Sequence, residues 1–246
     1  MTKPFLVIQL RPEDETADDE FAAILRHGGL DQAEVIRHRL EQTLLPVLQL
    51  DDLSGILVGG SPFDVSTPLK DKTATQLRVE ADFDRLFDQV VPADFPFLGA
   101  CSGNGLLGRY CGANISRRFG EPVGAVDVTL TAAGRSDPLL KGLPDRLRVL
   151  LGHKEACDEV PAGATLLASG ERCPVQMFRV GRHVYATQFH PEADAAGFRL
   201  RISVYRDHGY FPPETADALI REIEGERVDA SNQILKRFVE RYRRHE

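Results

Sequence analysis

No basic tract runs through this sequence: 30 Lys and Arg stand against 37 Asp and Glu, a formal net charge of -7. An acidic chain repels phosphate, so nucleic acid is not an expected partner. The one basic cluster, Arg241, Arg243 and Arg244, reads as a solvated helix end. No apolar run approaches the ~18 residues of a membrane span. The opening MTKPFLVIQL is too short in apolar residues, and lacks the small-residue cleavage site, for a signal peptide. A cytoplasmic protein without membrane contact is expected. Cys101, Cys111, Cys157 and Cys173 form no CxxC pair and no zinc-like spacing with histidine, so no metal site is expected. In a reducing compartment all four are free thiols, and the last three read as small buried hydrophobes. There is no internal repeat and no low-complexity linker.

What is present is a chain of 246 residues, 42% hydrophobic, which suits one large α/β domain over residues 1–246. KPFLVIQL, SGILV and FPFLGA read as buried strands. Between them, Phe21, Ile24 and Leu25 fall at helical spacing, as do Phe83, Leu86, Phe87 and Val90. Short strand-like runs follow at residues 125–130, 146–151, 165–169, 175–180 and 183–189. These predict a small mixed or antiparallel region. From about residue 192 to the end the chain reads as a helical extension. Strand–helix alternation predicts a three-layer, mostly parallel sheet with helices on both faces, flavodoxin-like in plan. Ligands on such sheets bind at the carboxyl ends of the strands. Both glycine-rich turns, Gly59-Gly60-Ser61 and Gly99–Gly103, lie at strand ends and are expected to face one crevice.

The stretch GACSG places Cys101 between a strand and a helix, the thiol form of a nucleophile elbow. Small neighbours let such a strained turn close. The helix N-terminus beyond it favours a thiolate, and the N–H of Ser102 points where an oxyanion would form. The alternative is a tight turn around a buried thiol. A base must lie nearby in space. Of seven histidines, His27, His38 and His208 read as surface positions in polar helical segments. His190 ends the apolar run VYATQF and is followed by Pro191 and Glu192, an imidazole with an acid to orient it. Helix capping by Pro191 and Glu192 is the competing reading. His153 follows a strand and is a candidate to line the crevice.

GACSG, QFHPE and the ILVGGSP turn together resemble the class I glutamine amidotransferases. The resemblance is to the glutamine-hydrolysing domain of GMP synthase and its stand-alone relatives, and it runs from the first strand to at least Glu192. It implies Cys101 as nucleophile, His190 as base and Glu192 as third member of the triad. It implies backbone oxyanion donors at Gly60 or Ser61 and at Ser102. The implied substrate is glutamine or a γ-glutamyl compound, with no metal or organic cofactor. With no P-loop in sight, an ammonia-accepting synthetase would be a separate chain. The sequence departs from the family at one point. The elbow usually reads G-x-C-x-G-x-Q, and here Gly105 stands at the glutamine position. Asn104 is a candidate replacement, and Lys154 a candidate for a substrate carboxylate. Three activities stay open: a stand-alone glutamine amidotransferase that feeds a synthetase, a γ-glutamyl hydrolase or peptidase using the same triad, and a non-catalytic module retaining the fold.

Overall fold

Runs in which every residue is buried become the central strands of the computed structural model, which describes residues 2–245. In chain order the first half holds β1 (Phe5–Gln9), α1 (Asp14–Gly28), β2 (Val35–Arg39), β3 (Gly55–Val58), α2 (Ala74–Val90), β4 (Phe97–Ala100) and α3 (Ser102–Tyr110). The second half adds β5 (Ile115–Ser116), β6 (Glu121–Leu130), α4 (Ala132–Ser136), β7 (Arg146–His153), β8 (Ala156–Cys157), β9 (Ala164–Gly170), β10 (Met177–Val180) and β11 (Val184–Thr187). Helices α5 (Ala195–Val204), α6 (Ala216–Ile223) and α7 (Asp229–Tyr242) follow.

Nine strands form one sheet in the order β2-β1-β3-β4-β11-β10-β9-β6-β7. The run from β2 to β11 is parallel. From β11 to β7 each pairing is antiparallel. The α/β sheet covered on both faces thus forms as expected, and the antiparallel strands continue it rather than standing apart. A two-stranded pair, β5 with β8, lies outside it.

Period-two alternation decides which side chain meets which helix layer. Phe5 and Val7 of β1 pack with Phe21 and Ile24 of α1 and with Ile234, Phe238 and Tyr242 of α7. Leu6 and Ile8 pack the other way, with Val79, Phe83, Phe87 and Val90 of α2 and Leu106 and Leu107 of α3. Each such side chain, fully buried, contributes roughly 1.5–3 kcal/mol. Thr73 caps α2, its hydroxyl accepting from Gln76 N–H at 3.1 Å. A third cluster sets Phe198 and Ile202 of α5 and Ile223 of α6 against Leu150 of β7. It carries α5 across the carboxyl ends of the parallel strands.

Two expectations fail here. His38 is in β2, an edge strand, and His208 is in a turn; only His27 of the three is helical. The charged run VIRHR hid β2. An edge strand meets its neighbours on one side only, and Ile36 is left half exposed.

Candidate active site

Parallel pairing of β4 with β11 brings the Cys101 turn beside the segment that ends in His190. Ala100 is opposite Thr187 in register, and Cys101 N–H donates to Thr187 carbonyl at 2.7 Å. Cys101 adopts φ 53°, ψ -89°, a left-handed conformation that a side-chain-bearing residue rarely holds. Its glycine neighbour is required by close approach. A Cβ on Gly99 would lie 2.8 Å from the Cα of Gly103. The second turn is tied to the first by Ser102 Oγ, which donates to Gly59 carbonyl at 2.9 Å. The two glycine turns therefore face one crevice, as expected.

His190 Nδ1 and Glu192 Oε1 are 2.7 Å apart, and both residues are buried. Burial pushes the His190 imidazolium below its ordinary pKa, against the opposing pull of Glu192. Burial also works against the Glu192 charge, but the charge and hydrogen bond of His190 and the charge of Arg201 outweigh it and hold the carboxyl below the usual range. With Glu192 charged and His190 neutral, Nδ1 carries the proton and Nε2 is left to act as base. The Cys101 thiol is pushed up to about 12, first by burial, with Arg11 opposing. Burial thus works against the thiolate that the helix N-terminus favours.

Cys101 sits where two small chambers meet. One, of ≈ 40 Å³, holds His190 and has walls of Val123, Phe198, Ile202 and Phe211, with Arg11 and Arg201 behind. The other, of ≈ 30 Å³, is polar and is lined by Ser102, Gly105, His153, Lys154, Glu155 and Gln188. Ser61, Gly152 and Tyr210 border both.

The remaining expected site residues divide. Ser61, Ser102, Gly105, His153 and Lys154 are in the crevice. Gly60 lies behind His190, where its N–H donates to Glu20 Oε2 at 3.1 Å and is not free for an oxyanion. Asn104 is fully buried and turned away, its Oδ1 taking the Cys157 thiol at 3.2 Å, so it does not replace the missing glutamine. What occupies the space beside Gly105 is Glu155: a Cβ on Gly105 would meet Glu155 Oε1 at 3.4 Å. Glu155 accepts from Val65 N–H at 2.6 Å and Ser66 N–H at 2.7 Å. Lys154 Nζ lies 4.1 Å over the Tyr210 ring and donates to His208 carbonyl at 3.3 Å.

Glu121, His153 and Cys173 bring ligand-type atoms within 4.8 Å of one another, the one such group among the described residues. Glu121 Oε2 is already engaged by His153 Nε2 at 3.0 Å and by Gln176 Nε2 at 2.6 Å. His153 Nδ1 faces Glu155 carbonyl at 2.9 Å. Three donors fall one short of a closed tetrahedral set. Their hydrogen bonds act as a strut holding the His153–Glu155 segment at the crevice.

Sequence reasoning missed Arg11, Glu20, Glu155 and Arg201. Arg201 Nη2 bonds Glu192 Oε1 at 3.1 Å, and Arg11 Nε bonds Glu20 Oε2 at 2.6 Å. The one signal for Glu20 was the Gly59-Gly60 pair. A Cβ on Gly59 would collide with the Glu20 carboxylate, and one on Gly60 would lie 2.8 Å from His190 Cε1.

Known proteins resemble this arrangement. Over 140 residues the chain is 26% identical to the glutamine-hydrolyzing GMP synthase subunit of Pyrococcus abyssi, covering 56% of this chain and 66% of that one. It is 31% identical over 150 residues to gamma-glutamyl peptidase 3 of Arabidopsis thaliana, covering 58% and 56%. The matches thus span less than two thirds of those curated relatives. The crystal structure of a glutamine amidotransferase from Thermotoga maritima superposes with a TM-score of 0.77 at 21% identity, covering 98% of each chain, which establishes the fold. The model of the family described as glutamine amidotransferase class-I matches residues 19–202, a stretch that contains Cys101, His190 and Glu192. By that match the chain belongs to the class I glutamine amidotransferase family.

Proposed function

We infer that the chain hydrolyses the side-chain amide of glutamine through a thioester on Cys101. The observation that carries this reading is the left-handed Cys101 turn opening on the same chamber as the His190–Glu192 pair. Cys101 gives its proton to His190 Nε2 as Sγ attacks the amide carbon. The oxyanion takes N–H groups from Ser102 and Ser61. His190 returns the proton to the departing nitrogen, ammonia leaves, and a γ-glutamyl thioester remains. Water then gives a proton to His190 and attacks the thioester, releasing glutamate and restoring the thiol. Glu192 fixes the imidazole tautomer throughout. The γ-glutamyl end enters the polar chamber, where Glu155 takes the place of the family glutamine and faces the substrate ammonium. The apolar chamber takes the leaving ammonia. A separate synthetase chain is the proposed ammonia acceptor.

A second reading, hydrolysis of larger γ-glutamyl compounds, is favoured by Gly105, which removes one of the family's substrate contacts. Incubation with glutamine and with a set of γ-glutamyl amides separates the two. Ammonia and glutamate from glutamine support the first. Turnover of the larger amides alone supports the second. No turnover, with Cys101 inert to glutamine-like alkylating analogues, would leave a non-catalytic module.

A further inference from the structure

Glu20 lies in α1, far in sequence from the triad, and is fully buried. A buried carboxylate is costly unless its oxygens are engaged. Here the engagement is directional. Oε2 accepts from Gly60 N–H at 3.1 Å and from Arg11 Nε at 2.6 Å, and Oε1 accepts from Gln9 Nε2 at 3.2 Å. Arg201 Nη2 stands 3.7 Å from Oε2 and bonds Glu192 Oε1 with the same nitrogen. Glu20 thus grips the backbone of one active-site turn and shares a cation with the acid of the triad. Gly59 lacks the Cβ that would expel it.

A turn that supplies an oxyanion donor must present one N–H to the reacting centre and dispose of the next. Gly60 N–H is disposed of on Glu20, and Ser61, the following residue, borders both chambers at Cys101. We propose that Glu20 is the positioning residue of the oxyanion turn: by holding Gly60 N–H it aims Ser61 N–H at the carbonyl under attack by Cys101. Glu20 touches no substrate atom. The proposal rests on Cys101 as nucleophile.

The test separates an oxyanion effect from a general one. Acylation of Cys101 by p-nitrophenyl acetate passes through a tetrahedral oxyanion: Sγ bonds the acetyl carbon, the thiol proton goes to His190 and p-nitrophenolate leaves. Alkylation by iodoacetamide displaces iodide and forms no oxyanion. In Glu20→Ala, acylation is expected to fall about 10²-fold, the scale of losing one oxyanion donor, while alkylation changes less than about threefold. Glu20→Gln keeps a carbonyl oxygen for Gly60 N–H and is expected to return acylation to within about tenfold of the parent. Gly59→Ala displaces the carboxylate from the other side and is expected to repeat the Glu20→Ala pattern, which covers the case where that variant does not fold. Equal loss in both reactions, or loss in neither, overturns the proposal. If the parent protein acylates at Cys101 but cleaves no γ-glutamyl amide, the glutamine reading fails and the role of Glu20 is still decided by the two rates.

Discussion

The two halves of the sheet contribute different things to one crevice. The parallel half supplies the groups proposed to react: the Gly59–Ser61 turn after β3, Cys101 after β4, and His190 with Glu192 after β11. Gly59 N–H donates to the Ile8 carbonyl of β1 and Cys101 N–H to the Thr187 carbonyl of β11, while His190 N–H reaches across to the Leu150 carbonyl of β7. The antiparallel half supplies the walls: His153 at the end of β7 and Lys154 and Glu155 beyond it, with α5 packed on Leu150. Its parts are held by side-chain hydrogen bonds, among them Glu155 to Val65 and Ser66. Backbone-fixed groups tolerate little displacement, so they suit chemistry. Side-chain-fixed walls can be rebuilt without moving the reacting atoms, so they suit the choice of substrate.

The comparison breaks most visibly at Cys101. Cys101→Ala is expected to lower glutamine hydrolysis by at least about 10⁴-fold in an ammonia-release assay, with circular dichroism unchanged. Next in size, Glu192→Gln is expected to cost about 10²–10⁴-fold in kcat, since an amide no longer fixes the tautomer with Nδ1 protonated and Nε2 free. A wall residue should behave otherwise. For Glu155→Gln, steady-state kinetics are expected to show KM for glutamine raised about tenfold and kcat within about threefold. If kcat collapses instead, the division between the halves is wrong. The smallest expected effect is on pH. His190 must be neutral to accept the thiol proton, and burial lowers its pKa, so kcat/KM should fall on acidification with a midpoint below 6.5. Glu192 is the group that raises that pKa. In Glu192→Gln the residual activity should therefore titrate at a still lower pH.

Legibility followed the same division. The buried strands β1, β3, β4 and β11 announce themselves as short apolar runs, and Cys101, His190 and Glu192 stand at their ends in compact local patterns. Glu20 does not, because in the helical stretch ADDEFAAIL only Phe21, Ile24 and Leu25 mark a buried stripe, and the third acid turns inward only when the turn after β3 arrives beside it. Arg11 and Arg201 are unreadable for the same reason: long cations are usually exposed, and both are buried here by partners distant in sequence. Asn104 misled in the other direction. Proximity to Cys101 in sequence places it one helical turn on, facing Cys157 rather than the crevice.

Arg11, Glu20, Arg201 and Glu192 alternate in sign, each within reach of the next. Changing any one strands a buried charge, at a cost of about 3–5 kcal/mol, whereas a matched change of two neighbours need not. In a lineage this quartet should behave as a single inherited character: substitutions arriving in pairs or not at all, while Lys154, Glu155 and the Tyr210 segment drift one residue at a time. Anyone redesigning this crevice has, on that account, a fixed chassis and a short list of places to work.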